Sequence, residues 1–473
     1  MEITMKPEFS RIDRQARELT ALVTLAAPDL SAFDDPSVVR SSSGLDVVAV
    51  IDKSGSMEQD AKLDSVKAAL RFVIGKLGAR DRVALVAFNA DGERVGGAGL
   101  RSMTAEAKSD MARQLDGVSA GGDTRLMAGL GLALDTLRAR RQRNAAAAVL
   151  LMTDGRDTCE ALAGDAEERA VVRLGEERDC ALYAFGFGTD HDARLLARLA
   201  QAGRGMFAYV PSSAEVAAAV GGCMGGLLSA FARDVCVDVS PLSDAAVKDV
   251  MTEYEVIRCL TPPPPSRVRI RVPDMFCGER RDFPVVLGVP ACDGDAAASP
   301  LAMVRVAYAS CVTGREQPAA IGFVTVDRAE AAAEEDEDEG DRDVDAQRNR
   351  ALCARAMRRA AELARAGRNA ESVSALESAD AVLDLSQTGG TPECAALAAD
   401  LKRAMDLVSS PEAFSEGGGE QALSQSQMSH SRQRASTTSD SAYVTSSQME
   451  EAEEASASAL ADQGWMRKKK KKT

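Results

Sequence analysis

The feature that most constrains this chain is the run Leu45-Asp46-Val47-Val48-Ala49-Val50-Ile51, which leads into Asp52-Lys53-Ser54-Gly55-Ser56. A near-continuous apolar stretch of this length reads as a strand covered on both faces, the habit of central strands in parallel sheets. An acidic residue and two hydroxyls alternate at its carboxyl end, so hard oxygen ligands are presented without a thiol or an imidazole. That set suits Mg²⁺, which takes six oxygens in near-octahedral geometry. Three ligands are half a site, and the others have to come from elsewhere in the chain.

Two later segments supply them. Gly121-Gly122-Asp123-Thr124 is a tight turn before the helical pattern Leu126, Leu130, Leu134, Leu137, and it offers Thr124. Ala148-Val149-Leu150-Leu151-Met152-Thr153-Asp154-Gly155 is a second apolar strand running into an acidic residue, and it offers Asp154. Each segment alone is an ordinary turn signal. Their order carries the weight, because the carboxyl ends of strands in an open α/β sheet converge on one crevice. The plainer reading, with Ser54 and Ser56 capping the helix that follows, accounts for each segment but not for the order. Asp123 and Asp157 read as exposed turn residues, and Lys53 is expected to point away from Ser54.

This arrangement resembles the von Willebrand factor type A domain with its metal-ion-dependent adhesion site. The pattern DxSxS…T…D falls here on Asp52, Ser54, Ser56, Thr124 and Asp154. The resemblance implies Mg²⁺ or Mn²⁺ held directly by the two serines and Thr124, with one or both aspartates acting through water. It also implies a sixth position left for a carboxylate from a partner protein.

Composition removes several other functions. A formal net charge of −15 argues against generic nucleic-acid binding. Only His191 and His430 are present, which leaves little material for a histidine base. His191 lies in Asp190-His191-Asp192, read as a loop with Asp190 capping the next helix. Ten cysteines contain no CxxC pair, so a zinc-finger cluster is excluded by spacing, and Cys180 and Cys236 read as buried thiols. Residues 1–8 have no apolar targeting core and no run reaches membrane-spanning length. The expectation is an intracellular protein, cytoplasmic or nuclear, with reduced thiols.

Along the chain the patterns predict an α/β fold class: a doubly wound, mostly parallel sheet at 45–222, an antiparallel β-sandwich at 223–328 and a C-terminal helical segment. The capping box Ser212-Ser213-Ala214-Glu215 is expected to open the last helix of the first domain. Residues 1–44 form an N-terminal segment, and the strand pattern from Glu18 to Leu25 joins the sandwich, which makes the α/β domain an insertion. An acidic linker is expected at 329–345, around the run at 334–339, and Pro262 to Pro265 reads as a stiff connector. Residues 346–410 read as helical hairpins, similar to one and a half tetratricopeptide repeats. Residues 411–473 read as a disordered tail with a basic end at 467–472.

Further stretches are similar to plant RING-type ubiquitin ligases that carry a von Willebrand A domain, the wavy-growth family. They are Tyr183-Ala184-Phe185-Gly186-Phe187-Gly188-Thr189-Asp190-His191-Asp192, the region from Gly221 to Ser229, and Ser429-His430-Ser431-Arg432-Gln433-Arg434-Ala435. Those ligases place a zinc-bound RING upstream, whereas the first cysteine here is Cys159. The expectation is therefore no enzyme but a metal-dependent protein-interaction module, recognising Asp or Glu of a partner. The alternatives are the substrate-binding part of a ubiquitin ligase assembly, with a RING from a partner or an upstream exon, and a scaffold whose metal site is vestigial.

Overall fold

A computed structural model describes residues 1–35, 39, 44–97, 99–144, 146–155, 163–176, 180–259, 267–330, 340–415, 418–437 and 442–470. The acidic run at 334–339, the prolines at 262–265 and Asp157 lie outside the described residues, as do the side chains of the basic run at 467–472.

Three strands open the chain, β1 (Glu2–Pro7), β2 (Arg11–Asp13) and β3 (Arg17–Ala26). The α/β domain follows. Its strands are β4 (Leu45–Asp52), β5 (Arg82–Phe88), β6 (Gly92–Arg94), β7 (Arg101–Ser102), β8 (Ala146–Thr153), β9 (Ala181–Phe187) and β10 (Phe207–Val210). Its helices are α1 (Lys62–Lys76), α2 (Ala105–Asp116), α3 (Leu126–Arg138), α4 (Ala163–Glu176), α5 (Ala193–Ala202) and α6 (Val216–Leu228). The sheet order is β10-β9-β8-β4-β5-β6, with β7 also on β5. Pairing is parallel except at β6 and β7, which form an antiparallel edge. Every residue of β4 is buried. Its consecutive apolar positions leave no polar face for solvent, so helices must cover both sides.

The second unit has β11 (Ala230–Pro241), β12 (Ala246–Val250), β13 (Glu255–Cys259), β14 (Arg267–Phe276), β15 (Arg280–Val289), β16 (Ala296–Ser310) and β17 (Ala320–Ala329). These form two sheets, β1-β3-β15-β12 and β13-β14-β11-β16-β17-β2. Strict alternation turns Val268, Ile270 and Val272 of β14 and Val235, Val237 and Val239 of β11 inward, against Ala21, Val23 and Leu25 of β3 and Phe283, Val285 and Leu287 of β15. β3 pairs with β15 along its whole length, so the α/β domain interrupts a sandwich begun before it.

Helices α7 (Arg342–Arg365), α8 (Asn369–Leu385) and α9 (Pro392–Val408) form a third core around Met357, Leu376, Leu383, Leu397 and Leu401. Asp341 caps α7 by accepting from Asp343 and Val344 N–H, so the acidic stretch ends as a helix start rather than as linker through residue 345.

Two further boundaries differ from expectation. The division at 222/223 falls inside α6, which runs to Leu228 because Val220, Met224 and Leu227 bury one continuous face. The capping box does not close: Ser212 Oγ donates to the Glu215 carboxylate, and the helix begins one residue after Glu215.

The largest departure is the tail. Residues after 410 form α10 (Pro411–Ser415), α11 (Gly419–Arg432) and α12 (Ser446–Lys470) instead of disorder. Helix α11 covers the β10 edge, where Tyr209 N–H donates to Gln425 Oε1 at 2.6 Å, and α12 lies on α6. Residues 433–436, just past α11, are buried although three of the four are polar, because their groups find partners in the other units. Arg434 meets Glu279 at 2.7 Å and Asp274 at 2.7 Å and stacks 3.9 Å over Phe276. The Gln433 amide donates to Asp282 O at 2.8 Å and accepts from Asp282 N–H at 2.9 Å. Arg350 of α7 donates to His430 O at 2.6 Å. Satisfied buried polar networks of this kind replace the apolar area that the tail lacks. Among the described residues, no helix is long and apolar enough to cross a membrane.

Candidate metal centre

Parallel pairing of β4 with β8, in which Ile51 faces Met152, brings Asp52 and the Thr153-Asp154 step out of the sheet side by side. The third loop, between α2 and α3, is tied to them by its backbone. Gly121 N–H donates to Lys53 O at 2.8 Å, Gly55 N–H to Gly122 O at 3.0 Å, and Arg125 N–H to Asn89 O at 2.8 Å. Asn89, just past β5, also donates its side-chain amide to Gly121 O at 2.8 Å. Thr124 is buried, and a Cβ placed on Gly155 would lie 3.2 Å from its hydroxyl, so Thr124 abuts the Asp154-Gly155 turn.

The side chains form one chain of contacts. Asp52 is fully buried and accepts from Ser54 N–H at 2.8 Å and from Thr153 Oγ1 at 2.5 Å. Burial pushes its carboxyl above the ordinary value, outweighing the hydrogen bonds from Thr153 and Ser54, and the neighbouring Asp154 carboxylate adds to the rise. Ser54 Oγ lies 3.1 Å from Ser56 Oγ, and Ser56 Oγ donates to Asp154 Oδ1 at 2.7 Å. The other oxygen of Asp154 accepts from Lys62 Nζ at 2.6 Å. Ser54 stands at the start of the short 3₁₀ turn Gly55–Ala61, yet it makes no capping bond with its hydroxyl. The capping reading of Ser54 therefore finds no support in the geometry.

Asp46, at the opposite end of β4, shows what a purely structural buried aspartate looks like. It is held by Arg82 at 2.7 and 2.8 Å, by Arg140 at 3.1 Å and by Asn144 at 3.0 Å. Asp52 is equally buried, but among the described residues its hydrogen bonds come from Ser54 and Thr153 and none from a cation. The five residues supply only oxygen donors, which fits a hard divalent ion. Among the described residues, no group of three or more His, Cys, Asp and Glu side chains is arranged to hold a metal, so hydroxyls have to complete this set.

The neighbouring residues sort as follows. Asp123 is exposed, and Lys53 pairs with Glu93 at 2.6 Å, away from Ser54. His191 is not a loop-surface residue. It is buried, with its ring centroid 5.7 Å from that of Phe207 and 5.9 Å from that of Tyr209, and burial lowers its imidazole to about 4. Asp192, not Asp190, caps α5, accepting from Leu195 N–H at 2.9 Å. Sequence reasoning missed Thr153, Asn89 and Lys62. Thr153 is hidden inside a strand pattern, and Lys62 precedes the first periodic residue of α1, Leu63, so no spacing marks it.

Residues 46–220 match the von Willebrand factor type A domain family, so this chain carries a von Willebrand factor type A domain. The E3 ubiquitin-protein ligase WAV3 of Arabidopsis thaliana is 26% identical over 306 residues, 62% of this chain and 38% of that protein. The uncharacterized protein YfbK of Escherichia coli (strain K12) is 28% identical over 213 residues, 45% of this chain and 36% of its own length. The chain thus spans well under half of either relative. A solved structure, the von Willebrand factor type A protein from Catenulispora acidiphila, superposes with a TM-score of 0.64 at 17% identity, covering 85% of this chain and 89% of that one. That likeness concerns the fold.

Proposed function

We propose that this chain is a divalent-metal-dependent protein-interaction module. Ser54, Ser56 and Thr124 would hold Mg²⁺, or Mn²⁺ in its place, with Asp52 and Asp154 behind them, and a partner's Asp or Glu would take the remaining position. The observation that carries this reading is Asp52, buried as deeply as Asp46 but without the guanidinium groups that Asp46 has. A carboxylate removed from water without a cation costs several kcal/mol, which a bound cation recovers. When bound, the metal supplies a Lewis-acidic contact for a carboxylate, while the chain's own residues position it and keep bulk water away.

Calorimetric titration with Mn²⁺ tests this reading directly: one equivalent should bind the wild type and none the Asp52→Ala variant. Affinity capture with and without chelator tests the partner step, and an unchanged partner list would remove the metal from the mechanism. The likeness to the Arabidopsis ligase favours a second reading, because its 306 aligned residues exceed the 46–220 domain and must include part of the sandwich or the helices. On that reading the chain is the substrate-binding part of a ubiquitin ligase assembly.

A further inference from the structure

Lys62 places an ammonium group on the candidate metal centre. Its Nζ lies 2.6 Å from Asp154 Oδ2, with the lysine side chain 13% exposed and the aspartate 0%. The backbone reaches this position by an uncommon path. Asp60 (φ 51°) and Ala61 (φ 54°) are consecutive non-glycine residues in the left-handed region. Such a conformation is unfavourable for L residues and persists where the surroundings hold it, often beside functional sites. Its effect here is to end the 3₁₀ turn at Ala61 and restart the chain as α1 at Lys62, which sends that side chain onto Asp154. A Cβ on Gly188, just after β9, would lie 3.9 Å from Nζ, so the ammonium is wedged between Asp154 and the next loop.

The consequence is one of charge. Asp52 and Asp154 bring two negative charges to the centre and Lys62 returns one positive charge. A divalent ion there meets one net negative charge from these buried groups and retains an uncompensated positive charge. At the low effective dielectric of a buried site that surplus disfavours metal bound alone. An incoming carboxylate removes it.

We propose that Lys62 couples the two binding events, weakening metal binding in isolation so that the metal and a partner's carboxylate bind cooperatively. The inference rests on the metal reading above and adds to it a residue outside the five-residue set. Coupling of this kind is reciprocal: whatever the carboxylate adds to metal affinity, the metal adds to carboxylate affinity.

The test is Mn²⁺ calorimetry on the full chain, wild type, Lys62→Met and Lys62→Gln, each with and without excess acetate as the carboxylate probe, corrected for acetate's own Mn²⁺ binding. Thermal melts establish that each variant is folded. In the wild type, acetate should tighten Mn²⁺ binding by about fivefold or more. Both variants should bind Mn²⁺ alone about ten- to a hundredfold more tightly than the wild type, since a unit charge close to a dication has been removed, and acetate should then add little. Variants that bind Mn²⁺ no more tightly, or that keep the full acetate gain, would overturn the coupling. Folded wild type and variants that all fail to bind Mn²⁺ would instead overturn the metal reading on which it rests.

Discussion

At the scale of single residues, Asp52 and Glu279 are buried carboxylates with opposite surroundings. Asp52 has no cation beside it among the described residues, and the isosteric change Asp52→Asn should leave the metal-free melt within about 1 kcal/mol of wild type while abolishing Mn²⁺ binding; an aspartate kept for the fold alone would give a large loss of stability. Burial by itself would raise Glu279, but the Arg281 and Arg434 guanidiniums and the Phe276 N–H outweigh it and hold the carboxyl at about 2. The sign follows from that depression. Above its ordinary value of 4.5 the group is ionised in both folded and unfolded chains, and its stabilisation is complete. As pH falls from there toward 2 the unfolded chain takes up the proton first, and on the order of 3 kcal/mol is lost across that window. Melting temperature measured from pH 5 to pH 2 should show this decline. Glu279→Gln should flatten part of it while lowering stability at neutral pH by about 3–5 kcal/mol, because the buried Arg281 guanidinium loses its carboxylate and Arg434 keeps only Asp274.

At the scale of elements, α6 has the sequence VAAAVGGCMGGLL, and glycines inside a helix cost stability unless something uses the space they leave. Helix α12 uses it. A Cβ on Gly221 would lie 2.6 Å from Ala455 Cβ and 2.6 Å from Glu451 O, and one on Gly225 would strike Ser447 O. Gly221→Leu should therefore undock α12 at a cost of about 1–3 kcal/mol. Amide exchange should rise over residues 446–462 and stay slow in β4 and β8. A uniform rise through the sheet would show instead that α12 is no separate layer. The sequence placed α6 by the capping-box pattern before it, but its glycines and the later Ser429 to Ala435 stretch stood out only by resemblance. Their composition argued for disorder in the second case, since local polarity says nothing about partners elsewhere. By contrast, β4, β8 and α3 were legible, because each has a periodicity that only one kind of element satisfies.

At the scale of the molecule, the residues from 428 to 434 touch all three units. Met428 packs into the α/β core, Arg434 and Gln433 bond the sandwich, and His430 bonds Asp400 of α9 at 2.9 Å and Tyr443 at 2.8 Å. A buried ionic network shared in this way makes unfolding of one unit expose charges in the next. Calorimetry of the wild type should give one cooperative transition, and Arg434→Ala should split it into at least two, with the first about 3–5 kcal/mol less stable. A single, merely shifted transition in that variant would show that the units are coupled by other contacts. Asp52, Ser54, Ser56, Thr124 and Asp154 could be nominated as candidate ligands from the sequence because ligand chemistry is a property of side-chain type and strand ends are a property of local pattern. The alternation of strand and helix in the α/β domain and the hairpin helices were legible on the same ground. Lys62 on Asp154 and the burial of the tail were decided only in three dimensions, whereas the insertion of the α/β domain into the sandwich could already be read from the Glu18 to Leu25 strand pattern. Whether a charged side chain is exposed or buried depends on the group that meets it, and for Arg434 that group, Glu279, lies 155 residues away along the chain.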